Sequence, residues 1–347
     1  PNRRSIEFDL DQVTKNSLKK PCFRIIQTFQ AFLIFFFQGN LLLLSNCPNI
    51  ALGIDQWLIE FMNNTILYLG NALHQMQAER GCAVMFVSSK GKLFKKELLE
   101  VFDKSHKAIE KIRAELGRWQ AAHTFGDEFL HKIEYVLDNS ETVKARRNRI
   151  LNLEFNTSEI ISGYSHKVIS PLIDLMVMIA IFNRDNDPAK VSAFSYFLQL
   201  KEKFGRERAL GAQGLVTKSF ENRDFLDRFR FLVSEQDSFK RTFFSLADER
   251  QKRIYESTIQ GNAVRKLADL KNNLKQNNKP AIPDLTPTDW FALTSEKIDL
   301  MKIVEEKLTD NLLKNGLVES DQSQASKIKV SRPVEGISGE QRDFIEQ

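Results

Sequence analysis

Long stretches of this chain place apolar residues three and four positions apart, with polar residues between them. No proline occurs between Pro48 and Pro171, or between Pro188 and Pro280. Because proline breaks a helix interior and this spacing puts apolar side chains on one helical face, the stretches indicate long helices. The expected fold class is all-α, with about eight long helices. We expect them at residues 50–88, 93–121, 126–152, 157–183, 188–216, 220–256, 258–277 and 287–314.

Capping signals mark the start of several predicted helices. Asn156 and Glu159 have the spacing of a capping box. Asp187 and Thr286 each precede a proline, which combines a capping side chain with the residue that is best tolerated in a first helical turn. The short linkers between helices suit antiparallel neighbours in a bundle.

A weak internal repeat divides the helical region into two halves. Glu79, Arg80 and Gly81 lie near the end of one long helix, and Glu207 and Arg208 lie in the same place in the second half. An amphipathic helix follows each of them. This repeat predicts two similar helical bundles, each contributing an arginine from its long helix.

The N-terminal extension, residues 1–49, contains the apolar run FLIFFFQGNLLLL at residues 32–44. A membrane span needs about 20 apolar residues, and polar residues interrupt this shorter run. A buried or interfacial helix is therefore favoured, and a signal anchor is the alternative that stays open. We find no second run of this kind downstream, so we expect a cytoplasmic protein.

The C-terminal segment, residues 315–347, loses the helical pattern and is rich in Ser, Gln, Lys, Glu and Gly. This composition predicts a flexible tail or linker. The helical domain is therefore expected to occupy residues 50–314.

Composition and charge exclude several classes of function. A net charge of +5 over 40.1 kDa can favour a small anion but lacks the basic footprint of a nucleic-acid binder, so no direct nucleic acid is expected. Cys22, Cys47 and Cys82 have no metal-ligand spacing and are expected to be buried or free thiols. The five histidines match no zinc motif. We predict no catalytic residues, no metal site and no cofactor, and hence no enzyme.

Arg80 and Arg208 lie on helices that are otherwise lined by apolar residues. A buried guanidinium needs an anion, because an unpaired buried charge is very costly. That anion could be a carboxylate of Glu79, Glu202 or Glu207, or it could be a bound ligand. The residues alone favour the salt bridge, or a position at the surface, over a bound ligand.

Four segments follow one another in order: ALHQMQAERGCAVMFVSSKGKLFKKELLEVFDKSHKAI, RRNRILNLEFNTSEIISGYSHKVISPLIDLM, FSYFLQLKEKFGRERALGAQGLV and DLTPTDWFALTSEKIDLMKIVEEKL. They contain a Gln-x-Glu-Arg-Gly helix end, an arginine stretch before a tyrosine-bearing helix, a Lys-Glu-x-x-Gly-x-Glu-Arg-Ala pattern, and a tryptophan followed by Ile-Asp-x-x-Lys. In this order they resemble the NIT, or nitrate- and nitrite-sensing, domain family over residues 50–314.

The resemblance implies two four-helix bundles packed side by side, with nitrate or nitrite held between them by arginines. Nitrate is a planar monoanion, and the guanidinium is a planar, permanently charged donor group that suits it. The resemblance assigns ligand contacts to these arginines: Arg80, Arg208, Arg147 and, as a weaker match, Arg265. Arg146 and Arg149 compete for the place of Arg147. The supporting residues that it implies are Glu79, Gly81 and Glu207.

The expected function is a signalling sensor that binds nitrate or nitrite and transmits a conformational change to an output domain or partner protein. Members of the family commonly precede an output module, for which the residues after 314 are too few. The chain is therefore either a fragment or signals through a separate output protein, and a homodimer stays open. The alternative is a helical protein- or RNA-interaction scaffold without a small-anion ligand.

Overall fold

The structure, a computed structural model, describes residues 48–121, 127–182, 186–276 and 285–328. These ranges contain nine helices and no strand, which confirms the all-α prediction. In chain order the helices are α1 Pro48–Ser88, α2 Lys95–Ala121, α3 Asp127–Leu151, α4 Thr157–Phe182, α5 Pro188–Val216, α6 Arg223–Leu246, α7 Glu249–Thr258, α8 Asn262–Gln276 and α9 Pro287–Ile328.

The predicted capping signals are present. The side chain of Asn156 accepts from the backbone N–H of Glu159, whose carboxylate accepts from Asn156 in return. Asp187 caps α5 directly before its first-turn proline. At the start of α9, Thr286 and Asp289 exchange hydrogen bonds in the same reciprocal way. These contacts satisfy backbone donors that a helix start leaves without an intrahelical partner.

The predicted helix at residues 220–256 is wrong, and the last helix ends later than predicted. The segment 220–256 is two helices, because Asp248 caps a new helix and forms a capping box with Gln251. The last helix continues to Ile328, past the predicted end at residue 314.

The helices pack in two groups. Helices α1, α2, α3 and α4 form a ring in which each packs against the next and α4 packs against α1. Helices α5, α6, α8 and α9 form a second ring, and α7 packs against α9. Helices α1 and α5 also pack against each other, and α9 contacts both. The main apolar core is continuous across this junction, so α1 and α5 are the central helices of the fold.

Helix α4, Thr157–Phe182, is the one helix among the described residues that is long and apolar enough to cross a membrane, and 56% of its most apolar window is buried in the protein. The expectation of no second apolar run is therefore wrong, although a buried core helix passes the same test of length and composition. Cys82 is a buried free thiol, as predicted. The apolar run at 32–44, Cys22, Cys47 and residues 329–347 lie outside the described residues.

Candidate functional site

Arg80 and Arg208 lie where α1 crosses α5, and each packs against a glycine of the opposite helix. A Cβ atom added at Gly205 would lie 2.7 Å from Nη2 of Arg80, and one added at Gly81 would lie 3.0 Å from Nε of Arg208. Both arginines are buried. The crossing therefore brings together two guanidinium groups, and the glycines allow the close approach that this requires.

Arg80 forms a buried ion pair with a carboxylate. Its Nη1 donates to Oε1 of Glu202 at 2.5 Å and its Nη2 donates to Oε2 at 3.1 Å. Nη1 also donates to Oγ of Ser165 at 2.7 Å, and Nε2 of Gln77 donates to the same carboxylate at 3.0 Å. The salt-bridge interpretation is thus correct for Arg80, with Glu202 as the partner.

Arg208 has only neutral acceptors. Its Nη1 donates to Oγ of Ser295 at 3.0 Å, and its Nη2 donates to the backbone carbonyl of Gln77 at 2.7 Å. The guanidinium lies 5.0 Å from the centre of the Phe291 ring, a cation–π contact. Burial, and to a lesser extent the charge of Arg80, lowers the pKa of Arg208 to about 10. Within the described ranges, Arg208 forms no ion pair with a carboxylate, yet it stays charged at neutral pH.

Glu79 is the acceptor for a second buried cluster beside Arg80. It accepts from Nε and Nη2 of Arg147, at 3.0 and 2.8 Å, and from the hydroxyl of Tyr164 at 2.6 Å. The hydroxyl of Ser105 donates to it as well. Burial, and then the charge of Glu79, raises the pKa of Tyr164 well above its ordinary value. Arg147 therefore lies beside the Arg80 site through its ion pair with Glu79, the residue that precedes Arg80.

Glu207 occupies the corresponding place in the second half but has different partners. Its carboxylate accepts from Nζ of Lys271 at 2.6 Å and from Nε2 of Gln236 at 2.7 Å. The repeat thus conserves a buried carboxylate before each arginine while replacing the arginine partner by a lysine.

A π-helical turn in α4, Ser165–Ile169, positions two of these contacts. Tyr164 directly precedes the turn and reaches Glu79, whereas Ser165 opens it and reaches Arg80. Single π-helical turns are rare and occur frequently at functional sites. Sequence reasoning missed Ser165, as it missed Ser295, because neither stands out from other serines on helices.

The remaining arginine candidates differ in placement. Arg146 packs against Gly163, and Arg149 forms an ion pair with Glu154 at 2.9 Å. Neither shares the Glu79 cluster, so Arg147 is the arginine of this stretch that enters the buried network. Arg265 is exposed near the start of α8, outside the network. Ligand contacts by any of these arginines stay predictions.

Further buried charges line the side of Arg208 that faces α9. Nζ of Lys201 donates to Oε2 of Glu305 at 2.6 Å, and both side chains are almost fully buried. Nε2 of His74 lies 3.4 Å from Asp299. Burial, and then the charges of Lys201 and Arg208, lowers the pKa of His74 to about 3. The imidazole is therefore neutral at pH 7, and His74 adds no positive charge beside Arg208.

The described residues form an all-helical domain in which buried charged side chains meet where α1 crosses α5. The family described as nitrate and nitrite sensing matches residues 71–313, and this chain belongs to that family. The resemblance found in the sequence is therefore confirmed.

Two relatives extend this comparison. The nitrate regulatory protein of Klebsiella oxytoca is 24% identical over 261 residues, which cover 73% of this chain and 63% of that protein's length. The solved structure of the NasR transcription antiterminator has a TM-score of 0.65 at 20% identity, covering 82% of this chain and 77% of that chain. At this identity the structural likeness establishes a shared fold.

Proposed function

We propose that this chain binds nitrate or nitrite through Arg80 and Arg208 where α1 crosses α5, and that binding alters the packing of α9 to signal to an output domain or partner protein. The observation that carries the proposal is the environment of Arg208. This guanidinium is buried against a hydroxyl, a carbonyl and an aromatic ring. Among the described residues, no carboxylate forms an ion pair with it.

The local charge balance supports a monoanion as the ligand. Arg80 is hydrogen-bonded to Glu202 and Arg147 to Glu79, so Arg208 is the arginine of these three without a directly bonded carboxylate, and Asp299 and Glu202 act on it only through space. A buried charge without an ionic partner is unfavourable, and a bound monoanion would offset that cost. Family membership and the name of the nitrate regulatory protein support nitrate and nitrite as the anions.

Helix α9 is the element that such binding would disturb. Ser295 and Phe291, which contact Arg208, both belong to α9. An anion that draws the guanidinium away from these residues weakens the contact between α9 and the crossing. We propose that the resulting change in α9 reaches a transcriptional output, in a cytoplasmic protein whose partner is an output protein or a second copy of the chain.

Thermal unfolding with added salts tests the proposal. A ligand that binds only the folded state raises the melting temperature, and at 100 times its Kd contributes about 2.7 kcal/mol. Sodium nitrate and nitrite should raise the midpoint above that in chloride or sulfate at equal ionic strength. Arg208→Met should remove the nitrate-specific increase, whereas Arg223→Met, at an arginine whose side chain is 92% exposed, should keep it.

The interaction scaffold is the second candidate, and the closed Arg80–Glu202 ion pair favours it. If both arginines served only to hold helices together, no anion would raise the midpoint beyond the effect of ionic strength. The same titration therefore distinguishes the two functions.

A further inference from the structure

We infer that Glu202 is an internal competitor of the anion: its carboxylate accepts from Nη1 and Nη2 of Arg80, and nitrate or nitrite displaces it on binding. The inference rests on the proposed function and adds the residue that sets the affinity.

The geometry of the ion pair carries the inference. A carboxylate, like nitrate and nitrite, is a planar anion that offers two oxygens to the paired N–H groups of an arginine. Glu202 uses both Nη1 and Nη2 of Arg80, and Ser165 accepts from Nη1 as well. Nη2 lies so close to Gly205 that an added Cβ there would be 2.7 Å away, and Nε is buried without a hydrogen-bond partner. The edge formed by Nη1 and Nη2 of Arg80 therefore cannot take a second planar anion while Glu202 stays.

Glu202 is also the carboxylate of the network that is best placed to leave. The Glu79 side chain is fully buried and accepts hydrogen bonds from three side chains, all of which would lose their acceptor. The Glu202 side chain is 6% exposed, and of its three side-chain donors, Arg80, Gln77 and Ser165, the last lies 3.4 Å away and also accepts from Arg80. A change of its rotamer is therefore the smaller disturbance.

Competition of this kind fixes the concentration range of a sensor. When Arg80 is free of Glu202 in only a fraction of the molecules, the apparent Kd for the anion rises in inverse proportion to that fraction. Glu202 thus sets the anion concentration at which the protein responds, while the arginines provide the intrinsic affinity.

Isothermal titration of the full chain with sodium nitrate tests the inference. Glu202→Gln keeps the size of the side chain but removes its charge, and should tighten nitrate binding about tenfold or more, the effect of about one charge-assisted hydrogen bond. Glu202→Asp keeps the charge but shortens the reach by one methylene group, and should also tighten binding, to an intermediate degree. Asp299→Asn is the matched control, because Asp299 is a nearby carboxylate that does not contact Arg80.

The outcomes separate competition from a general effect of charge. Equal tightening by Asp299→Asn and Glu202→Gln, with no change in Glu202→Asp, would mean that only the removed charge matters and would overturn the inference. Unchanged or weaker binding by Glu202→Gln, with a wild-type protein that binds nitrate, would overturn it while leaving the proposed function intact. Absence of binding by the wild type and by both Glu202 variants would overturn the proposed function together with the inference. Should Glu202→Gln fail to fold, as checked by circular dichroism, Glu202→Asp decides alone.

Discussion

The two arginines at the helix crossing occupy corresponding places in the two halves of the domain, but they face opposite kinds of partner. Arg80 is neutralised by the carboxylate of Glu202, whereas Arg208 is surrounded by Ser295, a backbone carbonyl and an aromatic ring. The same Glu-Arg pair therefore builds an ion pair in one half and leaves a buried charge without an ionic partner in the other. A repeated motif determines where an arginine enters the fold, while its surroundings decide what it does there.

Replacing Arg80 should have the largest effect on the ligand-free protein. Arg80→Met leaves the buried carboxylate of Glu202 without its partner, which typically lowers the free energy of unfolding by about 3–5 kcal/mol. Urea denaturation measures this loss. The double variant Arg80→Met/Glu202→Gln should recover most of it, because it removes the stranded charge. A single variant as stable as the wild type would contradict the structural role of this pair.

The two carboxylates before the arginines extend the comparison. Glu79→Gln should lower the free energy of unfolding by about 3 kcal/mol, since Arg147, with a side chain only 12% exposed, loses its ionic partner. The matched variant Glu207→Gln should cost less, because Lys271 also donates to Oε1 of Gln236 and keeps that acceptor. Chemical denaturation of the two variants side by side measures the difference. Equal losses would show that both halves depend on their carboxylates alike.

Replacing Arg208 should leave the ligand-free protein nearly as stable as the wild type. Arg208→Met loses two hydrogen bonds but also removes a desolvated charge, and exchanging buried charge for apolar volume is often neutral, so we expect a change of less than about 1 kcal/mol. Nitrate-dependent stabilisation should be lost at the same time. Urea denaturation with and without nitrate measures both quantities. A large loss of stability without ligand would place Arg208 among the structural residues, as Arg80 is.

The smallest expected effect concerns His74, which lies beside Arg208. Its pKa is lowered to about 3 in the folded protein, so between that value and 6.5 the unfolded chain binds a proton that the folded protein does not. Stability is therefore lost as the pH falls through this range, by about 0.7 kcal/mol between pH 7 and 6. Denaturation at several pH values should show this slope in the wild type and not in His74→Gln. Equal slopes would mean that the pKa of His74 is the same in the folded protein as in the unfolded chain.

Much of the fold, but only part of the site, could be predicted from the sequence. Apolar spacing and caps such as Asn156 locate most helices within a few residues, because these signals act within one helix. The break at Asp248 was missed since a local cap there interrupts an otherwise helical pattern. Arg80 and Arg208 stood out as charges on apolar helices. Which of three glutamates pairs with Arg80, and which serines join, depends on how α1 is aligned against α5, and no local pattern records that alignment.

Each half of the domain supplies a hydrogen-bond acceptor to the arginine of the other half, where α1 crosses α5. This exchange has a consequence for how independent the two halves are. The counter-ion of Arg80 comes from the second half, and the carbonyl that accepts from Arg208 comes from the first. A chain divided between α4 and α5 would leave each piece with a charged guanidinium deprived of its partner and with an apolar helix face exposed to water. The two pieces would behave as complementary fragments that fold by association. Exchange or loss of one half should therefore destabilise the other half unless its contact residues change as well.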